Sequence, residues 1–202
     1  MTRILELLQA ITRDEPAYGF LEASHRRQAA EALASGIRCV LRTQVVQNGK
    51  RTAWCAQYDA LTLQPSAARA MEPATLSGME SARILEFLMS ITNPAPEIVS
   101  SIDSGLVWLE NVKITGLERT RREGKTTYES DPASTEVYWA RFYDLTNSKP
   151  VFPGRDGVQY DSFAAMAAGN RLGYDYLGTQ PGSIINNAQK KWRKMLAGQK
   201  EL

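Results

Sequence analysis

Two arginines have the most chemical potential in this sequence. Arg69 has Glu72 three residues on, and Arg155 lies inside Gly154-Arg155-Asp156-Gly157. A guanidinium is a planar fork of N–H donors that stays charged at neutral pH, so it grips carboxylates and stabilises negative charge developing in a reaction. Upstream stand Trp54, Gln57 and Asp59, an aromatic face that could stack on a ring and two polar groups that could bind hydroxyls. Arg141 and Tyr143 share one face of an extended run, so they could reach a cleft together, although an edge strand at the surface would look the same. Lys50 is an alternative proton acceptor on general grounds. Each residue also has a structural reading. Arg69 could pair with Glu72 in a loop, and Asp156 could form a turn with Gly157. Trp54, beside Cys55 and Ala56, reads more simply as core than as a binding surface.

Composition narrows the partners. A formal net charge of +2 is too small to imply nucleic-acid binding by itself, although a few clustered arginines still suit an acidic substrate. There is no run of about 18 apolar residues, so no membrane span is expected. Met1 leads directly into the helix-like Arg3-Ile4-Leu5-Glu6-Leu7-Leu8, so no export signal is visible. Cys39 and Cys55 with the lone His25 make neither a disulfide framework nor a zinc cluster. One disulfide and two free thiols both stay open, the thiols being the simpler reading. His25 reads as a solvated residue near a helix start. With 202 residues, 43% hydrophobic, the chain can bury a real core and is read as one domain over 1–202.

The elements that position these residues are mostly helical. Met1 to Ile11 is helix-like, and Ala30, Leu33, Ile37, Val40 and Leu41 recur at helical spacing within an amphipathic helix from Ala23 to Arg42. Ser77 with Glu80 forms a capping box for a helix that buries Ile84, Leu85, Leu88 and Met89. Asn93-Pro94 opens the next helix, with Ile98, Ile102, Leu106 and Leu109 on one stripe, and the two are expected to pair antiparallel. A last helix begins near Ser183. Asn48-Gly49 between Val45-Val46 and Thr52-Ala53-Trp54 predicts a tight hairpin, and 137–143 a further strand. Arg119 to Lys125 reads as a solvated hairpin tip rather than an anion site. Paired helices with long decorated connections imply an α/α toroid whose loops carry function.

Residues 48–78 read NGKRTAWCAQYDALTLQPSAARAMEPATLSG. This resembles the family 10 pectate lyases, whose pattern is NG-x-x-T-x-WCAQHD-x-x-TL-x-P-x-x-ARA-x-EP-x-SLSG. Trp139-Ala140-Arg141-Phe142-Tyr143 and Phe152-Pro153-Gly154-Arg155-Asp156-Gly157-Val158 fit the same family in the expected order, and the resemblance runs from Met1 to about Trp192. It implies the C-terminal part of a mainly α, (α/α) toroid-like module, incomplete at its N-terminus, with short β-hairpins in the connecting loops. The implied activity is calcium-assisted β-elimination of polygalacturonate (pectate) to 4,5-unsaturated oligogalacturonides, in a secreted or periplasmic protein.

By position in the motif, the base would be Arg69 and the second family arginine Arg155, with Trp54, Gln57, Asp59, Arg141 and Tyr143 as substrate contacts. Such an elimination removes a proton α to a carboxylate and builds negative charge on it, which calcium and arginine forks stabilise. A guanidinium is a weak base at neutral pH, so a nearby cation must lower its pKa and the optimum should be alkaline. The resemblance places the acidic calcium ligands before the helix at Met1 to Ile11. Asp14 and Glu15 match no ligand, so no metal-binding residue is assigned, and Tyr58 stands where the family has His. Helix faces without their toroid partners imply self-association as one way of covering them. A non-catalytic relative that binds acidic polysaccharide and a helical interaction protein are the alternative functions.

Overall fold

The structure, a computed structural model, describes residues 1–122, 125–169 and 175–199. It is mainly helical with short strand pairs. Helices α1 (Thr2–Thr12) and α2 (Ala23–Thr43) pack together, and α3 (Gly78–Met89) packs against α4 (Pro96–Asn111) and α6 (Gln180–Gln199). Between them lie β1 (Val46–Gln47), β2 (Lys50–Arg51), β3 (Leu117–Arg122), β4 (Lys125–Ser130), β5 (Trp139–Ala140), β6 (Phe152–Pro153), β7 (Gln159–Tyr160), α5 (Phe163–Gly169) and β8 (Leu177–Gly178). Each strand has one antiparallel partner, in the pairs β1·β2, β3·β4, β5·β8 and β6·β7.

Spacing explains the helices. In α3, Ser81, Ala82, Leu85, Leu88 and Met89 recur every three or four residues and are buried, which makes one inward face. Ser77 is the N-cap, but its hydroxyl bonds the Glu80 carboxylate instead of a backbone N–H, so the expected capping box does not form. Helix α4 begins at Pro96, not Pro94. A residue before proline is driven out of the helical region, so Ala95, at φ −61 and ψ 152, serves as the extended N-cap. Asn93 takes a left-handed φ of 52 in the turn before it. In α2 it is Ala29 that is buried, and Ala30 faces solvent. Helix α6 starts a turn earlier than Ser183 and buries Ile184, Ile185, Ala188 and Trp192. On α1, Leu5 is buried while Met1, Ile4 and Leu7 are exposed, so one apolar face is uncovered.

Asn48 and Gly49, with φ of 50 and 76, turn the β1·β2 hairpin as their dipeptide predicts. Its strands extend through Val45, whose N–H donates to Ala53 O at 2.9 Å, and deliver Trp54 to the core. The Arg119-to-Lys125 segment belongs to the β3·β4 hairpin, with the tip at 123–124 outside the described residues.

Helix α5 has no counterpart among the predicted elements. Its sequence, FAAMAAG, is too short for periodicity to stand out. The predicted strand at 137–143 survives only as β5 with isolated bridges at Tyr138 and Tyr143.

Isolated bridges align four irregular segments side by side, Cys55 with Leu76, Leu76 with Tyr143, and Tyr143 with Pro150. Leu76 and Tyr143 exchange both backbone hydrogen bonds at 2.9 Å. This run lies over α3, where buried Ser81 Oγ accepts from Trp54 N–H at 3.0 Å. Gly78 makes the close approach possible, because a Cβ there would sit 2.7 Å from Ala140 O.

Candidate active site

The four aligned segments and their connections carry the predicted residues. Gln57 and Asp59 follow the first segment, Arg69 lies in the connection between the first and second, and Arg141 and Tyr143 belong to the third. Arg155 caps the β6·β7 hairpin that follows the fourth.

Arg69 sits in a tight turn closed by Glu72 N–H donating to Arg69 O at 2.7 Å and Ala68 N–H donating to Glu72 O at 3.0 Å. Its guanidinium grips Glu72 through two hydrogen bonds, Nε to Oε2 at 2.9 Å and Nη2 to Oε1 at 2.5 Å. The Arg69 side chain is 72% exposed and that of Glu72 only 9%. A fork anchored on a buried carboxylate therefore points a largely exposed guanidinium outward. The pairing with Glu72 expected of a loop arginine forms, and it leaves the arginine exposed.

Arg155 is exposed at a turn that Gly157, at φ 79, makes possible. Asp156 braces this turn, its Oδ1 accepting from Val158 N–H at 3.0 Å and its Oδ2 from Tyr160 Oη at 2.6 Å. Tyr176, buried beneath, donates its hydroxyl to Pro153 O at 2.6 Å. No sequence signal marks Tyr176 as a brace, since its partner is a backbone carbonyl 23 positions away. Arg141 is half-buried, with Cζ 5.7 Å from the Phe142 ring centroid, and its backbone N–H donates to Tyr176 O at 2.8 Å.

Two expected contacts are corrected by burial. Trp54 is 0% exposed, with Nε1 donating to Val40 O at 2.8 Å, so its indole offers no face to a ligand. Tyr143 is likewise 0% exposed. Its hydroxyl accepts from Ala140 N–H at 2.7 Å and donates to Val112 O at 3.1 Å, which holds it away from Arg141. Tyr143 is therefore held above its ordinary pKa by burial.

Gln57 is half-buried and receives the Ser66 N–H on its carbonyl at 3.1 Å. Asp59 is exposed, but Oδ1 accepts from Leu61 N–H, Thr62 N–H and Thr62 Oγ1 between 2.7 and 3.0 Å. These bonds, Thr62's first, lower its pKa, and they shape the loop that leads to Arg69. Tyr58, in the family's His position, has its hydroxyl accepting from Cys55 N–H at 2.6 Å. It is a structural strut whose own ionisation is suppressed mainly by burial. Lys50 is exposed on β2. His25 is exposed in the first turn of α2, and both cysteines are free thiols.

Among the described residues, no group of three or more His, Cys, Asp or Glu side chains converges as a metal site requires. Calcium is held by about six to eight oxygens, backbone carbonyls and waters among them as well as carboxylates, so the described residues offer no carboxylate cluster to anchor it. Among the described residues, no helix is long and apolar enough to cross a membrane.

A family model for pectic acid lyase (Pec_lyase) matches residues 1–185. A solved structure of a family 10 polysaccharide lyase from Cellvibrio cellulosa superposes with a TM-score of 0.81 at 32% identity, over 92% of this chain and 58% of that one. An aspartate-to-alanine variant of a family 10 polysaccharide lyase from the same organism, in complex with trigalacturonic acid, superposes with a TM-score of 0.82 at 31% identity, over 94% and 60%. The present chain thus spans about three-fifths of the length of these relatives. No curated protein sequence matches it. With a family model covering nearly its whole length and solved relatives above 30% identity, the chain belongs to the pectic acid lyase family.

Proposed function

We propose that this chain is a pectate lyase module that cleaves de-esterified polygalacturonate by β-elimination. The observation that carries the reading is Arg69, at the family's motif position, held outward on a buried carboxylate within a chain of this family. The trigalacturonic acid bound by the related lyase variant supports a polygalacturonate ligand.

In the elimination, the base takes the proton on C5, the C–H electrons form the C4–C5 double bond, and the C4–oxygen bond breaks with its oxygen protonated from solvent, giving a 4,5-unsaturated product and a new reducing end. Arg69 is the base. A guanidinium is charged at neutral pH, so its neutral fraction grows only with rising pH, and the rate should climb through the alkaline range. Arg155 faces the carboxylate adjacent to C5 and offsets the negative charge that develops there. Gln57, Asp59 and Arg141 flank the path as substrate contacts.

Calcium, implied by the family, would neutralise uronate charge, although the described residues offer no carboxylate cluster to hold it. The (α/α) toroid, the single domain over 1–202 and a secreted or periplasmic location belong to the same proposal. So does self-association through Met1, Ile4 and Leu7, which a concentration-independent monomer in sedimentation would reject.

The test is ultraviolet absorbance of the unsaturated uronide formed from polygalacturonate at alkaline pH, with calcium and with chelator. Arg69→Ala should lower the rate by about 10²–10⁴-fold, and Arg155→Ala by about 10²–10³-fold in kcat. A folded chain that yields no absorbance, yet is stabilised by polygalacturonate, would instead be a non-catalytic binding relative.

A further inference from the structure

The Arg69–Glu72 geometry assigns Glu72 a part beyond holding a turn. We propose that Glu72 is a positioning residue that fixes the direction of the Arg69 guanidinium, a reading that rests on the proposed role of Arg69. Three observations converge on it. The carboxylate is nearly buried while its partner is 72% exposed, so the fixed end of the pair is Glu72. The grip is side-on, through Nε and Nη2, which removes rotation about the last bonds of a long side chain. Glu72 also closes the same turn with its backbone, donating to Arg69 O and accepting from Ala68 N–H, so carboxylate and arginine backbone form one rigid unit.

Compensating a buried carboxylate is one reason for this grip, but that reason does not require the arginine end to stay 72% exposed. Orientation is a stronger one. An arginine side chain left to itself samples many rotamers, and misplacing a reacting group by about 1 Å can cost about 10²-fold in rate.

The experiment compares the wild-type chain with Glu72→Gln, which keeps the backbone bonds and side-chain volume but replaces one acceptor oxygen with an amide donor. Arg69→Lys, which keeps charge but not the fork, is the control for orientation. Nitrogen-15 arginine spectra read the Arg69 Nε–H directly, assigned by its loss in Arg69→Lys. The proposal expects a protected Nε–H in the wild type that exchanges rapidly in Glu72→Gln while the backbone spectrum is retained. It also expects kcat to fall about 10–100-fold with KM within about twofold, and the alkaline limb of the rate profile to move to lower pH once the carboxylate charge is gone.

A Nε–H equally protected in Glu72→Gln, or unprotected in the wild type, overturns it. So does an unchanged kcat in Glu72→Gln where Arg69→Lys is impaired. If the wild-type chain forms no product, the lyase reading fails by itself, and the Nε–H signal alone decides whether Glu72 fixes Arg69.

Discussion

Trp54→Phe separates a core residue from a binding platform. The indole is fully buried, and Phe removes two of its ring carbons together with Nε1, the donor to Val40 O. The lost burial is worth about 1.5 kcal/mol at ~0.8 per carbon. The Val40 carbonyl would lose its indole donor and retain only a share of the Thr43 hydroxyl, whose single proton also faces Cys39 O at 2.9 Å, so the cost is partly offset. That cost is about 1 kcal/mol. Incomplete collapse of the vacated space adds a cavity cost, bringing the sum to roughly 2.5–3.5 kcal/mol. For a chain of this length the melting temperature should fall by roughly 5–12 °C. The assay is urea or thermal unfolding followed by circular dichroism, with polygalacturonate binding measured well below the transition. Unchanged stability with weakened binding would refute the reasoning and restore Trp54 as a ligand contact.

Two further outcomes follow from close packing and ionisation. Gly78→Ala should destabilise by about 1–3 kcal/mol in urea unfolding, because the new Cβ meets the Ala140 carbonyl, a backbone atom that cannot swing aside. Burial pushes the Cys55 thiol from 9.0 to about 11, against a smaller opposing effect of its hydrogen bond with Tyr58. Its folded-state pKa is raised, so this contribution to stability is complete below the ordinary thiol range and is lost as pH rises from 9.0 towards about 11. The loss is on the order of 2 kcal/mol, and the urea midpoint of Cys55→Ala should be flatter across that window.

Legibility in the sequence followed the range of the interactions involved. The helix faces of α3 and α6 and the Asn48-Gly49 turn depend on residues within a few positions of one another, and the spacing states them directly. The start of α4 was misread because Pro94 and Pro96 both offer a first helical position, and only the constraint on Ala95 between them chooses. The site was legible as a motif and not as geometry. Arg69 and Glu72 are three apart, so their pairing was visible, but that the carboxylate is buried and the guanidinium exposed depends on how the whole loop lies. Tyr143 misled because alternation assigns it to the face of Arg141, whereas its hydroxyl is drawn inward to Ala140 N–H and Val112 O across more distant sequence.

The same loop region sets two pH dependences against each other. Proton abstraction by an arginine paired with a carboxylate gains from every step of added alkalinity. Beneath that loop, Cys55 and Tyr58 are joined by a 2.6 Å hydrogen bond from Cys55 N–H to the Tyr58 hydroxyl, and burial opposes the ionisation of both side chains. If Arg69 is the base proposed above, alkalinity would supply its reactive form while weakening the buried Cys55–Tyr58 strut. An apparent optimum measured over long incubations would then report loss of structure and not the ionisation of the base. Initial rates should keep climbing at pH values where prolonged assays decline, and the gap between the two should narrow in Cys55→Ala, which removes one of the two ionisable groups and leaves the backbone bond to Tyr58 in place.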